Sequence, residues 1–249
     1  MARDAFSLWQ DLKDLARSLV YEKQTNCLLC DTSVTGSQVF CGVCESAYFY
    51  PRLKRCGHCG KITEGNTEEC HDCSQGRGPK GIKKVVAWGH YTEAWRELIQ
   101  DVKFKSRPYL LKRLGQPLAE FAIHHLPPPD VLVPVPMNAE RIAERGFNQA
   151  AAIASLLHWE LGIPLWEGLQ RVRATTPQVG LSRQERLHNL EGVFRIPTTE
   201  KKVIQGAKIW LIDDVTTTGA TLEHCAKELR ENGAEEVYGL VLAAGMVKS

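Results

Sequence analysis

Ile209-Trp-Leu-Ile-Asp-Asp-Val-Thr-Thr-Thr-Gly-Ala-Thr-Leu222 decides the fold. Residues 209–212 form a continuous apolar run, the pattern of a strand buried on both faces. The run leads into two adjacent carboxylates, Asp213 and Asp214. Thr216, Thr217, Thr218, Gly219, Ala220 and Thr221 follow. A helical pattern over 221–231 then closes at Asn232-Gly233, a left-handed stop. At a strand-to-helix turn, backbone N–H groups and the helix N-terminus point outward and favour an anion. Gly219 allows close approach of the backbone to a phosphate, and the threonines add hydroxyl donors. Two carboxylates cannot hold phosphate; they suit sugar hydroxyls or a divalent cation. The plain alternative is an ordinary turn with a threonine N-cap.

Working outward, 131–135 and 237–243 are further apolar runs of strand length. Helical patterns cover 93–102, 111–124 and 148–161. Strands alternating with helices predict an α/β fold with a parallel sheet wrapped by helices. In such sheets ligands gather at the carboxyl ends of strands. Val131–Pro136 ends in prolines and is followed by Arg141, Arg145-Gly146 and Asn148. Either arginine suits a pyrophosphate, because a guanidinium fork matches two oxygens; a solvated loop is the bland alternative. Asn148 suits a helix cap as well as a ligand contact.

Eight of the nine cysteines lie between Cys27 and Cys73. Cys27-x2-Cys30 and Cys41-x2-Cys44 have ten residues between them, and Cys56-x2-Cys59 and Cys70-x2-Cys73 repeat that spacing. A two-residue gap lets both thiolates of a knuckle face one cation, and two knuckles complete a tetrahedron. The expectation is two structural Zn²⁺ sites of four thiolates, with sequential or interleaved pairing. Disulfides or an iron–sulfur cluster are the alternatives. His58 and His71, inside the ligand gaps, read as neighbours of the sites and not ligands. So short a segment depends on metal to fold. The expected outcome of chelation is therefore a melted module and an intact remainder. Composition divides the chain into an amphipathic helix over 1–25, a double zinc-ribbon module over 26–78 and an α/β domain over 79–249. Residues 74–81 read as a Gly/Pro linker.

The acid-and-threonine stretch resembles the PRPP-binding motif of type I phosphoribosyltransferases. The resemblance implies that Asp213 and Asp214 hold the ribose hydroxyls with Mg²⁺ nearby. Thr216, Thr217, Thr218, Gly219, Ala220 and Thr221 would then cradle the 5-phosphate. Residues 26–249 resemble the ComF (competence protein F) family. That likeness rests on the cysteine-rich front, Pro134-Val-Pro136, Arg145-Gly-Phe-Asn-Gln149, Arg171-Val-Arg-Ala-Thr-Thr-Pro-Gln178, Leu181-Ser182, Glu185-Arg186, Asn189-Leu190, Phe194 and Asp213–Thr221. It implies a phosphoribosyltransferase-like sheet behind a small N-terminal zinc-ribbon module. It also implies a role in natural transformation, handling incoming single-stranded DNA. A DNA-uptake helicase or recombination mediator is the implied protein partner.

The 249 residues carry 31 Lys+Arg and 29 Asp+Glu, with 43% hydrophobic and 24% charged residues. That excludes disordered and low-complexity classes. A formal +2 is too small to argue for nucleic acid alone, so any anion site depends on local geometry. No run is long and apolar enough for a membrane span. Asp11, Lys13, Asp14 and Arg17 interrupt any signal-peptide core, so a cytoplasmic location and reduced cysteines are expected. Residues 95–113 mix six basic side chains with Trp95, Phe104 and Tyr109, a pattern suited to single strands. Ser182-x-x-Glu185 is a capping-box pattern, which predicts a short helix carrying Arg183 and Arg186. Cys225 reads as core. Two functions compete: a DNA-uptake accessory protein with a phosphoribosyl-binding site, and a working phosphoribosyltransferase of nucleobase salvage. A PRPP-sensing regulator is a third. Against turnover, few residues follow the last candidate strand to wall in a base.

Overall fold

The computed structural model describes residues 26–35, 38–49, 54–63, 68–104, 109–173 and 183–245. For residues 100–104, 109–111, Arg145 and Arg183 the description is of backbone alone. The helix expected over 1–25, Ser182 of the capping box and residues 105–108 of the basic-aromatic stretch fall outside it. Two compact units divide the chain, 1–41 and 42–249.

In the first unit the chain reverses at Cys27–Thr32. Cys27 N donates to Thr32 O at 2.7 Å, and Asn26 bridges Ser33 in antiparallel fashion. Asp31, just after Cys30, takes the left-handed φ of 59°. The second unit repeats this reversal 29 positions later in the numbering. Cys56 N donates to Lys61 O at 2.8 Å, Arg55 bridges Ile62, and Gly60 has φ 72°. Left-handed backbone after the second cysteine turns the chain back sharply; glycine adopts it freely and aspartate tolerates it. A short helix starts after the third cysteine and carries the fourth in each case: α1 (Gly42–Tyr48) holds Cys44 and α2 (His71–Ser74) holds Cys73.

The rest of the second unit is built on a four-stranded parallel sheet. Its strands are β1 (Lys84–His90), β2 (Val131–Pro134), β5 (Lys208–Thr216) and β6 (Glu236–Ala244), in the order β1-β6-β5-β2. Between β1 and β2 lie α3 (Glu93–Phe104) and α4 (Tyr109–His125). Next come α5 (Ala139–Arg145) and α6 (Gln149–Leu161). The two-residue strands β3 (Gln170–Arg171) and β4 (Phe194–Arg195) pair antiparallel, with α7 (Arg183–Asn189) between them in the chain. A 3-10 turn at Thr198–Ile204 precedes β5, and α8 (Ala220–Glu231) joins β5 to β6.

Helices cover both faces. Ile209 and Leu211 of β5 pack with Val237 and Val241 of β6 and with Leu222, Cys225 and Leu229 of α8. The alternate residues Trp210 and Ile212 are fully buried on the other face, toward α6, which packs on β2 and β5. Burying both faces requires the unbroken apolar runs that mark these strands in the sequence.

The expected strands and helices form, with two differences. Strand β5 does not end at the carboxylates but continues through them to Thr216, paired with β6 as far as Ala244. The stretch 74–81 is no free linker. Gly78 and Pro79 are buried, because the second cysteine repeat lies along the edge of β1. There Val85 N donates to His58 O at 2.8 Å, and Arg55 Nη2 donates to Trp88 O at 3.0 Å.

Candidate functional site

Because β5 runs through the acids, strand alternation sends Asp213 and Asp214 to opposite faces of the sheet. Asp213 lies over the α8 face, where its charge, after burial, helps push the Cys225 thiol far above its ordinary range. Asp214 lines a small apolar pocket with Leu98, Ile99, Leu114, Gln149, Ile153 and Leu242. Both acids are half-buried. Asp213 Oδ1 accepts from Asp214 N at 2.9 Å and Asp214 Oδ1 from Val215 N at 2.8 Å. Each carboxylate is thereby held at the backbone.

Past the acids, Thr216 is buried and its carbonyl accepts from Gly245 N at 3.0 Å. Thr217 is exposed, and Gly219 is the left-handed N-cap of α8 at φ 79°. The first bond of the helix runs from Glu223 N to Gly219 O at 2.9 Å. The N–H groups of the turn before it are the donors that a helix N-terminus presents to an anion. Ala220 N is engaged by Thr218 Oγ1 at 3.4 Å. Arg186 of α7 brings a cation to the same loop, donating from Nη1 to Thr217 Oγ1 at 2.8 Å. An anion held by amides, hydroxyls and a guanidinium suits this turn, and sugar hydroxyls, as donors, suit the acids before it.

The turn after β2 lies beside the acids, because Val135 N donates to Ile212 O at 2.8 Å. Asn148 proves to be a cap that also anchors this turn: its Oδ1 accepts from Ala150 N at 3.0 Å, and its Nδ2 donates to Val135 O at 3.0 Å. Arg141 sits in the first turn of α5, where Arg141 N donates to Asn138 Oδ1. Its charge reaches Arg171, whose guanidinium is pulled below its ordinary range by burial and then by Arg141. Arg171 also stacks over Phe194, 5.8 Å from the ring centroid, and its charge acts on Cys225, as that of Asp213 does. Two arginines therefore flank the Asp213 face. Arg145 occupies the end of α5, before Gly146 at φ 81°; its side chain lies outside the description.

Sequence reasoning did not single out Gln149. It is 2% exposed, and its Oε1 has no hydrogen-bond partner among the described residues. A buried amide in an otherwise apolar helix face was the available signal.

The eight clustered cysteines separate into two groups, Cys27, Cys30, Cys41, Cys44 and Cys56, Cys59, Cys70, Cys73. Within each group the sulfurs lie within 4.8 Å of one another. The pairing is thus sequential. Cys30 and Cys41 sulfurs are 3.6 Å apart, as are those of Cys59 and Cys70. Bonds of ~2.3 Å to a tetrahedral zinc put sulfurs about 3.8 Å apart, so the donor sets fit. In the second group a thiol proton from Cys59 holds Cys56 down to about 4, and burial pushes Cys73 up to about 12. One cation replaces such shared protons. Neither His58 nor His71 belongs to a group. Among the described residues no helix is long and apolar enough to cross a membrane.

A parallel sheet whose strand β5 carries the acid pair, a Thr-Gly loop at a helix N-terminus and two four-cysteine groups that could hold metal ions define the chain as an α/β protein. No protein-family model matches the chain. It is 35% identical to Competence protein F of Haemophilus influenzae, over 76% of this chain and 84% of that one. It is 33% identical to DNA utilization protein YhgH of Salmonella typhi, over 79% and 86%. Among solved structures, a purine phosphoribosyltransferase from Pyrococcus horikoshii matches at 24% identity and TM-score 0.33, over 54% of this chain and 72% of that one. The chain belongs to the competence protein F family.

Proposed function

We propose that the protein serves DNA uptake in natural transformation and that its sheet domain binds PRPP or a related phosphoribosyl group. The names of its relatives, competence and DNA utilization proteins, support the first part. One observation carries the second: a half-buried acid pair on β5 runs directly into a left-handed Gly219 cap, with Arg186 on the Thr217 hydroxyl. The 5-phosphate takes the amides and hydroxyls of 217–221. The ribose hydroxyls take the carboxylates of Asp213 and Asp214, which would also hold the Mg²⁺ that accompanies PRPP. Arg141, Arg145 and Arg171 serve the pyrophosphate side, where guanidinium charge neutralises oxygens. The four-cysteine groups hold Zn²⁺ structurally, since four thiolates leave no open position.

Single-stranded DNA is the proposed macromolecular ligand, and a cytoplasmic helicase or recombination mediator the proposed partner. The test is a transformation assay of cells carrying Asp213→Asn/Asp214→Asn, alongside PRPP titration of the purified variant. Loss of both transformation and PRPP binding supports the reading. Full transformation in a variant that no longer binds PRPP removes the ligand site from the DNA role. Base-dependent release of pyrophosphate would make it a salvage enzyme instead.

A further inference from the structure

Gly219 is constrained from outside its own loop. Its φ of 79° suits glycine, and a Cβ placed there would lie 3.2 Å from Cβ and 3.3 Å from Cγ of Pro79. The proline ring is therefore packed directly beneath the N-cap of α8. Pro79 is buried, and its carbonyl is held at 2.9 Å by His58 Nε2. A carbonyl only accepts, so Nε2 carries the proton. His58 stands between Cys56 and Cys59, and its own carbonyl accepts from Val85 N of β1. Gly78 closes the chain of contacts. A Cβ at Gly78 would come 2.8 Å from Cys73 Sγ and 2.8 Å from His58 Cδ2. The second cysteine group, the imidazole, Pro79 and the anion loop are thus in unbroken van der Waals or hydrogen-bond contact.

We infer that His58 and Pro79 are positioning residues that set the anion loop on the second four-cysteine group, so that the metal state of this group and affinity at the loop are coupled. The inference rests on the phosphate-binding reading of 217–221. It is directional in the chain. At the equivalent place in the first repeat stands Leu29, which has no ring nitrogen to donate. When the knuckle 56–59 is held, His58 keeps the Pro79 carbonyl in place and the ring supports Gly219. When the knuckle loosens, the support beneath the α8 cap is lost and the amides of the turn disperse. Coupling of this kind is reciprocal: what tightens the loop must also tighten retention at the cysteines by the same factor.

The experiment uses the full chain carrying two zinc ions, as wild type, His58→Leu, His58→Gln and Pro79→Ala. PRPP with Mg²⁺ is titrated by calorimetry. Retention of the second zinc against a chelator is measured with and without PRPP, and hydrogen exchange is followed at amides 217–222. His58→Leu and Pro79→Ala are expected to weaken PRPP binding about ten-fold. His58→Gln, which keeps an N–H donor, restores it, and PRPP raises zinc retention by the same factor in wild type and His58→Gln but not in His58→Leu or Pro79→Ala. Unchanged affinity and exchange in His58→Leu, with both zinc ions retained, overturn the coupling. If wild type binds no PRPP, the phosphate reading fails and amide exchange alone decides. Faster exchange at 217–222 in His58→Leu than in wild type sustains the coupling; equal exchange ends it.

Discussion

Arg186 Nη1 lies 2.8 Å from Thr217 Oγ1, so a residue 31 positions earlier in the chain supplies the cation of the loop that caps α8. The contact ties α7 to the anion turn. Arg186→Ala should weaken PRPP binding about ten-fold, the usual scale for one charge-assisted hydrogen bond. Arg186→Lys should recover only part of it, since an ammonium lacks the fork. Calorimetric titration of both variants checks this; equal affinity of Arg186→Ala and wild type would exclude Arg186 from the site.

The two acids act on different faces, so their substitutions should separate. Asp214→Asn should weaken PRPP with Mg²⁺ while leaving inorganic phosphate binding unchanged, because the phosphate loop is untouched. Asp213→Asn should in addition lower the pKa of Cys225, whose thiol now feels that carboxylate. Competition between phosphate and PRPP, with thiol titration by a small alkylating reagent in mild denaturant, reads both effects.

Gly219→Ala should cost about 1–2 kcal/mol of stability from left-handed backbone alone, and Pro79 at 3.2 Å adds crowding. Urea unfolding of the zinc-loaded protein measures it. Gly192, at φ 63° with nothing within 4 Å of a Cβ, is the control that carries the backbone cost without the crowding.

Stability should fall as pH drops from 7 toward 5. His224 is held below its ordinary 6.5, chiefly by burial. His90 is lowered by burial and then by the Arg55 charge. An imidazole with a depressed folded pKa binds its proton more readily in the unfolded chain, so stability is full above 6.5 and declines below it. Thermal melts from pH 7.5 to 5 test the slope. His224→Gln should flatten it, and a slope unchanged by that substitution would exclude His224 as a source.

Zinc removal should reach beyond the cysteine knuckles. Val85 N and the carbonyls of Trp88 and Gly89 are engaged by His58 and Arg55, so the second knuckle covers the edge of β1. Chelation should expose the Val85 amide to exchange along with residues 54–63. A module that melted alone would leave Val85 protected.

Much of this fold was legible in the sequence. The runs 131–135, 209–212 and 237–243 are buried on both faces, and such strands cannot hide their composition. Strand β1 was harder to place, since Lys84 and His90 flank it and its edge partner is a cysteine knuckle. Sequential pairing of the eight thiols was one of two readings, because spacing alone does not order the knuckles in space. Asp213 and Asp214 were legible as a pair at the strand end. That they face opposite sides follows from pairing with β6 through Thr216, a tertiary fact. Likewise Gly78-Pro79 reads as a linker by composition, and only the structure shows it buried against His58 and Gly219. Arg171 belongs to the family-like stretch 171–178 in the sequence, but its place over Phe194 depends on the pairing of β3 with β4.

The central claim is that the β5–α8 turn holds a phosphorylated ribose. Calorimetric titration of PRPP and Mg²⁺ into the zinc-loaded full chain tests it most directly. The account predicts saturable one-to-one binding that weakens in Asp214→Asn and in Arg186→Ala. Titration without saturation in a protein that retains both zinc ions would contradict it, as would equal affinity in wild type and both variants.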